Sequence, residues 1–169
     1  LVECIFDKKT GKYLNSINTS VIESNDYARY EIHVMDLLEI LDSLDEIYNL
    51  LAKNSTSDFK IMLSVSPVPL KNTFRDMDVI TANMYSKSLL RTAAEIFSCN
   101  HENIDYLPIY ESVMMSERKY SWEPDLIHVS DFIIKLNIQR ALNLYTDGKF
   151  KSEFTNTELD PETADKKFI

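Results

Sequence analysis

The stretch Phe59-Lys60-Ile61-Met62-Leu63-Ser64-Val65 decides the predicted fold, because it is a short apolar run between two groups of turn-forming residues. Polar residues 54–58 precede it and residues 66–70 follow it, and an apolar run of this length with such borders is typical of a buried strand. Pro67 and Pro69 cannot continue a hydrogen-bonded ladder, so they end the strand in a stiff loop. In open α/β sheets, ligands bind at this carboxyl edge.

Two more apolar runs, at residues 1–6 and 104–109, are predicted to be strands of the same sheet. A segment with helical periodicity follows each of the three strands, because apolar side chains recur at steps of three and four over residues 34–51, 76–97 and 132–145. This order is typical of a parallel sheet covered by helices. We therefore predict an α/β fold.

Capping residues indicate where the helices begin and end. Asp36 lies at the start of the first helix, Asp76 is predicted to cap the second, and Ser130-Asp131 to cap the third. Gly148 can end the third helix, because glycine tolerates the left-handed conformation of a helix C-terminus. These signals place the ends of three helices along the chain.

The remaining segments are predicted to lie on the surface. Residues 7–25 form a polar turn and a long loop, and residues 110–123 form a polar and aromatic loop. The length of the chain fits one domain, which we assign to residues 1–148. Residues 149–169 are mostly charged or polar and are interpreted as a tail.

Composition argues against several classes of function. The net charge is −9, and an acidic surface repels phosphate backbones, so no nucleic-acid partner is expected. No apolar run approaches the roughly 20 residues of a membrane span. Gly11 and Gly148 are the only glycines, which disfavours a glycine-rich phosphate loop and nucleotide chemistry. No targeting segment is recognisable, so the compartment stays open, with the cytoplasm as the default.

The cysteines and histidines do not indicate a metal or a cofactor. Cys4 and Cys99 are too few for a disulfide framework and are interpreted as two buried thiols. His33 and His101 have no metal-ligand spacing with each other or with His128. We therefore expect neither a metal site nor a cofactor.

The sequence Trp122-Glu123-Pro124-Asp125-Leu126-Ile127-His128-Val129-Ser130 contains the strongest chemical signal. A carboxylate three residues before a histidine can accept a hydrogen bond from one ring nitrogen, which leaves the other nitrogen to act as a base. Pro124 and the helix start at Ser130 place the pair in a loop, where reactive side chains are often presented. The alternative interpretation is a pair with a capping or core-polar role.

Four blocks of the sequence occur in an order that resembles the C-terminal part of the GSCFA family, of the SGNH (GDSL-like) hydrolase group, and residues 1–15 resemble that family's middle segment. The blocks are Ser66-Pro67-Val68-Pro69-Leu70, Ala82-Asn83 with Ser86-Lys87-Ser88-Leu89-Leu90-Arg91, Tyr106-Leu107-Pro108-Ile109-Tyr110-Glu111, and Asp125-x-x-His128-Val129-Ser130. The resemblance implies a flavodoxin-like, three-layer α/β/α sheet. It also implies ester hydrolysis by a serine nucleophile, with Asp125 and His128 in the catalytic triad.

The motif that gives the family its name, and that carries its presumed nucleophile, does not occur in these residues. The resemblance therefore implies that residues 1–148 are the C-terminal part of a hydrolase domain. The serine would come from an N-terminal half, joined covalently or present in a partner chain. The 169 residues alone would then be inactive. Glu3 falls near the third block's polar oxyanion-hole residue and is a candidate for that role.

Further candidates for oxyanion or substrate contacts lie in the other blocks. Ser66 follows the strand that ends at Val65, and it either contacts substrate or bonds within its own loop. Asn83, Lys87 and Arg91 share one helix face at steps of four, and they either line a cleft or hold the neighbouring loop. Tyr110 either shapes the pocket near His128 or has a structural role.

Three functions remain open from the sequence. The first is a serine esterase acting on acyl esters, with an O-acetyl group on a glycan among the candidate substrates. The second is a non-catalytic interaction or assembly subunit that keeps the hydrolase fold. The third is an acyltransferase that uses the same triad, in which a sugar hydroxyl replaces water as the acceptor.

Overall fold

A computed structural model describes residues 2–14, 27–55 and 58–146 of the chain. These residues form five β-strands and five α-helices, so the predicted α/β class is confirmed. The chain divides into two compact units. The first unit contains residues 1–60 and 70–103, and the second contains residues 61–69 and 104–169. The flavodoxin-like, three-layer arrangement stays a prediction.

The first unit contains a three-stranded antiparallel sheet. Its strands are β1 (Glu3–Asp7), β2 (Lys12–Leu14) and β3 (Tyr30–Val34), in the order β2-β1-β3. The prediction that the first strand belongs to a parallel sheet is therefore wrong. The prediction of loop throughout the start of residues 7–25 is also wrong, because β2 lies there. A tight turn at Gly11, with φ of 66°, reverses the chain after β1, and strands joined by so short a turn are antiparallel.

Asp7 ties this sheet together, because its carboxylate is buried and receives several hydrogen bonds. Arg29 donates two of them, from Nε at 2.7 Å and from Nη2 at 2.6 Å. The Lys9 amide and the Thr10 hydroxyl donate the others, at 3.0 and 2.9 Å. The Arg29 bond, the largest cause, holds the pKa of Asp7 well below its usual range. The bidentate pair therefore joins the β1 turn to the segment that leads into β3.

Two helices complete the first unit. Helix α1 (Leu37–Asn54) has Asp36 as its N-cap, as expected, with a reciprocal capping box between Asp36 and Glu39. Helix α2 (Val79–Cys99) begins at Asp78 rather than at the predicted Asp76, because the Asp78 carboxylate accepts from the amides of Ile80 and Thr81. The buried centre of the core is formed by Val2, Ile40 and Ala93.

The cysteines both lie in the first unit. Cys4 is half-buried, whereas Cys99 is exposed at the end of α2. The prediction of two buried thiols is therefore wrong, because Cys4 is only half-buried and Cys99, the last residue of the helix, is exposed. The described part of the chain contains no helix that is both long enough and apolar enough to span a membrane.

The second unit contains the strand on which the fold prediction was based. Strand β4 (Ile61–Leu63) pairs in parallel with β5 (Ile104–Tyr106), and Ile61 lies opposite Ile104. Both strands are shorter than the predicted runs, and the Leu107 amide adds one bond to the Leu63 carbonyl. The loop that follows β4 therefore begins earlier than expected from Pro67.

Helical structure replaces the loop that was predicted at residues 110–123. Helix α3 (Ile109–Met115) and helix α4 (Arg118–Ser121) occupy most of it, so that prediction was wrong. The two helices are too short to show a clear apolar period in the sequence. Helix α5 (Asp131–Tyr145) begins at Ser130 as expected, whereas Gly148 and the predicted tail lie outside the described residues.

The buried centre of the second unit is an apolar cluster of helix residues. Val113 of α3 packs with Ile133 and Leu136 of α5, and Trp122 and Val129 lie against them. Ile133 is 1% exposed, whereas its neighbour Ile134 is 42% exposed. Helix α5 therefore buries one face and presents another at the surface.

Replacing Asp7 by Asn should lower the melting temperature by several degrees, because the neutral amide cannot accept the two charge-assisted bonds from Arg29. Since the folded pKa of Asp7 is lowered, its contribution is complete above the usual value of 3.8 and declines as acid protonates the carboxylate. Thermal unfolding at neutral and acidic pH measures this. The exposed Asp45→Asn variant is the control, and equal melting temperatures of the two variants at neutral pH would contradict the prediction.

Replacing Ile133 by Ala should reduce the free energy of unfolding by about 2–5 kcal/mol, since it leaves a cavity in a packed core. Ile134→Ala makes the same chemical change at the adjacent, partly exposed position and should cost clearly less. Urea unfolding of both variants provides the comparison. A similar loss from the two substitutions would show that the core is not centred on Ile133.

Candidate active site

The segment from Trp122 to Val129 is a closed loop between α4 and α5. Trp122 and Val129 form an antiparallel bridge at its base. Above the bridge, the Glu123 amide donates to the His128 carbonyl at 2.8 Å, and the Leu126 amide donates to the Glu123 carbonyl at 2.9 Å. These backbone bonds fix the path of the loop.

Ser130 joins this loop to the helix that follows. Its amide donates to the Ser121 carbonyl at 2.9 Å, and its hydroxyl donates to the Tyr120 carbonyl. The same hydroxyl oxygen accepts from the Ile133 amide and caps α5. One residue therefore anchors the loop at α4 and begins α5.

Asp125 organises the tip of the loop. Its Oδ1 accepts from the amides of Ile127 at 2.9 Å and His128 at 3.0 Å, and its Oδ2 lies 2.5 Å from Nδ1 of the His128 ring. Leu126, which lies between Asp125 and Ile127, has φ of 57°, a left-handed conformation that residues with a side chain rarely adopt. The hydrogen bonds to Asp125 hold this unfavourable backbone in place.

These bonds keep Asp125 ionised. The His128 and Ile127 amides, followed by the His128 ring, lower the pKa of Asp125 to about 2. A carboxylate accepts hydrogen bonds, so Nδ1 of His128 carries the proton and Nε2 has the free lone pair when the ring is neutral. The His128 side chain is 73% exposed, so the ring is accessible from solvent.

A cavity of about 560 Å³ lies beside His128, entirely within the second unit. Pro67 and Val68, from the loop after β4, share it with His128, which belongs to the loop before α5. The rest of its wall comes mainly from α3 and α5. The lining residues described are Pro67, Val68, Leu107, Ile109, Val113, His128, Val129, Ile134, Asn137, Ile138, Ala141 and Leu142.

Two polar side chains, His128 and Asn137, are among these lining residues. Asn137 Oδ1 lies 2.7 Å from the hydroxyl oxygen of Ser112, which is nearly buried on α3. This contact with Ser112 fixes the orientation of the Asn137 amide. The cavity therefore has apolar walls, one oriented amide and one exposed imidazole.

Two predicted candidates of the second unit lie near this region of the chain but are not among the residues that line the cavity. Ser66 is exposed and immediately precedes Pro67. Tyr110 lies on α3, where burial and then the charge of Glu111 raise the pKa of its phenol. Tyr110 is therefore protonated at neutral pH.

The other predicted candidates belong to the first unit. Glu3 accepts from the Thr73 hydroxyl at both carboxylate oxygens, at 3.0 and 2.8 Å. Asn83 accepts from the Leu70 amide at 2.9 Å, a bond of the loop-holding type that the sequence analysis considered.

The two basic candidates lie on the same helix, α2. Lys87 is buried, and burial lowers its pKa. Arg91 binds the Glu95 carboxylate of its own helix at 2.7 Å. The guanidinium of Arg91 therefore contacts a carboxylate of the protein itself.

The apolar wall and Asn137 are not among the residues predicted from the sequence. Ile134, Ile138 and Ala141 recur at steps of four and three, which places them on one face of α5. That spacing is visible in the sequence, but it predicts only a helix that packs on a core.

Among the described residues, no group of three or more His, Cys, Asp or Glu side chains is arranged to hold a metal ion.

Comparison with known proteins gives one positive result. No significant match was found among curated proteins or among solved structures. The model of the GSCFA family matches residues 2–140, which include both halves of the β4–β5 pair and the loop with Asp125 and His128. Because that match covers most of the 169 residues, the chain belongs to the GSCFA family.

Proposed function

We propose that this chain supplies the histidine and aspartate of an SGNH-type serine ester hydrolase. The observation that supports this most directly is the 2.5 Å contact between Asp125 Oδ2 and His128 Nδ1, since His128 also lines an apolar cavity. His128 acts as general base and general acid, and Asp125 orients it. The nucleophilic serine, as the family resemblance implies, belongs to sequence outside these 169 residues.

The pair has the properties that a base and its orienting residue need. Asp125 is ionised and fixed by two backbone amides, so its second oxygen has a defined position. That oxygen selects the tautomer of His128 in which Nε2 is the basic nitrogen. An orienting carboxylate also stabilises the imidazolium that forms when the base takes a proton.

The surroundings of His128 support a role in a substrate site. Pro67 and Val68 line the same cavity, and they belong to the loop at the carboxyl end of a parallel strand. That is the end of a parallel sheet at which α/β proteins bind ligands. A concave apolar cavity with few polar groups is also the usual form of a small-molecule site.

The reaction follows from the position of the free nitrogen. His128 Nε2 takes the proton of the serine hydroxyl while the serine oxygen attacks the ester carbonyl. The imidazolium then gives this proton to the leaving alcohol, which leaves an acyl-serine. Water, deprotonated by the same nitrogen, attacks the acyl group. The serine oxygen then leaves and takes this proton from the imidazolium, so the second step yields a carboxylic acid and the free serine.

His128→Ala should reduce ester hydrolysis by the native protein at least about 100-fold, because it removes the base from both steps. Asp125→Asn should act in the same direction, since an amide does not enforce the tautomer of the ring. Hydrolysis of acyl esters measures the complete reaction, and labelling by a fluorophosphonate measures the attack by the serine alone. The partly exposed His33 lies in the first unit, and His33→Ala is the matched control.

Intact mass and N-terminal sequencing of the native protein accompany this assay and identify the polypeptide that carries the labelled serine. Equal activity of His128→Ala and His33→Ala would refute the catalytic role. Failure of the native protein to hydrolyse any ester would favour the non-catalytic interaction subunit instead.

Asp125 should titrate in the native protein with an apparent pKa near 2, below its ordinary value of 3.8. The folded pKa is lowered, so the hydrogen-bonded loop is stable above pH 3.8 and loses this support as the pH falls toward 2. NMR chemical shifts of the Ile127 and His128 amides should follow that transition. A midpoint close to 3.8 would show that these amides do not bind the carboxylate.

A further inference from the structure

We propose that the cavity beside His128 binds the acyl chain of the substrate, and that the substrates are esters of medium-length, apolar acyl groups rather than acetyl esters. This inference rests on the proposed hydrolase function and defines its substrate class. It is carried by three observations: the apolar character of the cavity walls, the size of the cavity, and the exposure of His128, which is one of its lining residues.

The walls of the cavity favour hydrocarbon. Ten of the twelve lining residues described have apolar side chains. The amide oxygen of Asn137 already lies 2.7 Å from the Ser112 hydroxyl. A sugar in this space would lose its hydrogen bonds to water and would find polar side chains only at Asn137 and His128 among the lining residues described, so each unpaired hydroxyl would cost free energy. A methylene chain has no such groups and gains from leaving water.

The volume also favours a chain longer than acetyl. The cavity of about 560 Å³ lies within the size range of sites for drug-sized ligands. An acetyl group has one methyl to place in it and would leave most of the apolar wall without contacts. Several methylenes are needed to cover the α5 side of the wall at Ile134, Ile138 and Ala141.

The position of His128 decides which half of the ester enters the cavity. His128 gives its proton to the leaving alcohol, and its side chain is 73% exposed. The alcohol therefore lies at the open side of the ring, next to solvent. The carbonyl lies near the ring, and the acyl chain extends along the apolar wall. A glycan, if it is the alcohol of the substrate, remains at the mouth.

The test compares ester hydrolysis by the native protein across acyl lengths with one leaving group. The ratio of kcat/KM for octanoyl over acetyl should be at least about 30-fold, because each buried methylene adds to binding in the transition state. Octyl acetate carries a chain of similar length on the alcohol, and it should show no such advantage over methyl acetate. Equal kcat/KM for acetyl and octanoyl esters, or a preference for octyl acetate, would overturn the inference.

Two substitutions in the wall locate the chain. Ala141→Trp fills the cavity and should lower kcat/KM for octanoyl at least about 10-fold while changing that for acetyl by less than about 3-fold. Leu144→Trp is the matched control, because Leu144 is 72% exposed on the same helix and does not line the cavity. Ile138→Ala enlarges the cavity with little risk to the fold and should shift the optimum to longer chains. No shift with this variant, and no selective loss with Ala141→Trp, would contradict the assignment.

Binding of sodium octanoate and sodium acetate to the same protein separates this inference from the proposed function, since binding needs no nucleophile. Octanoate should perturb the NMR signals of Ile138 and Ala141, and acetate should not. Octanoate binding without hydrolysis of any ester would refute the hydrolase function but leave the acyl site in place. Hydrolysis that depends on His128 but not on acyl length would refute the acyl site alone.

Discussion

The carboxylate of Asp125 is the group on which the candidate site depends. It accepts two backbone hydrogen bonds and lies against the ring of His128, so one side chain determines both the shape of the loop and the orientation of the base. Without these bonds the left-handed backbone at Leu126 would have little to hold it. The geometry of the Asp125–His128 pair and the conformation of the loop therefore depend on the same carboxylate.

The sequence predicted the elements whose signals are local. Asp36 and Ser130 begin their helices because a side-chain oxygen meets an amide three residues later, and this requirement is readable from residue type and spacing. The α/β class followed from the same kind of signal, since the apolar run around Met62 lies between turn residues. The contact between Asp125 and His128 joins residues only three apart, so it too was accessible from sequence.

The sequence did not predict features that depend on distant partners. The antiparallel pairing of β1 with β3 joins residues more than twenty positions apart, and the apolar pattern of a strand is the same whichever direction its partner runs. Helices α3 and α4 are too short for periodicity to distinguish them from a loop. The cavity was invisible for a similar reason, because residues from Pro67 to Leu142 contribute to its wall.

Ser130 has a mechanical consequence for the site. Because this residue both anchors the loop to α4 and begins α5, a shift of α5 along its axis must also move the end of the loop that carries His128. The same helix carries much of the apolar wall. A ligand that displaces this wall would therefore also change the position of the His128 imidazole. The fit of the ligand and the alignment of the base would then change together.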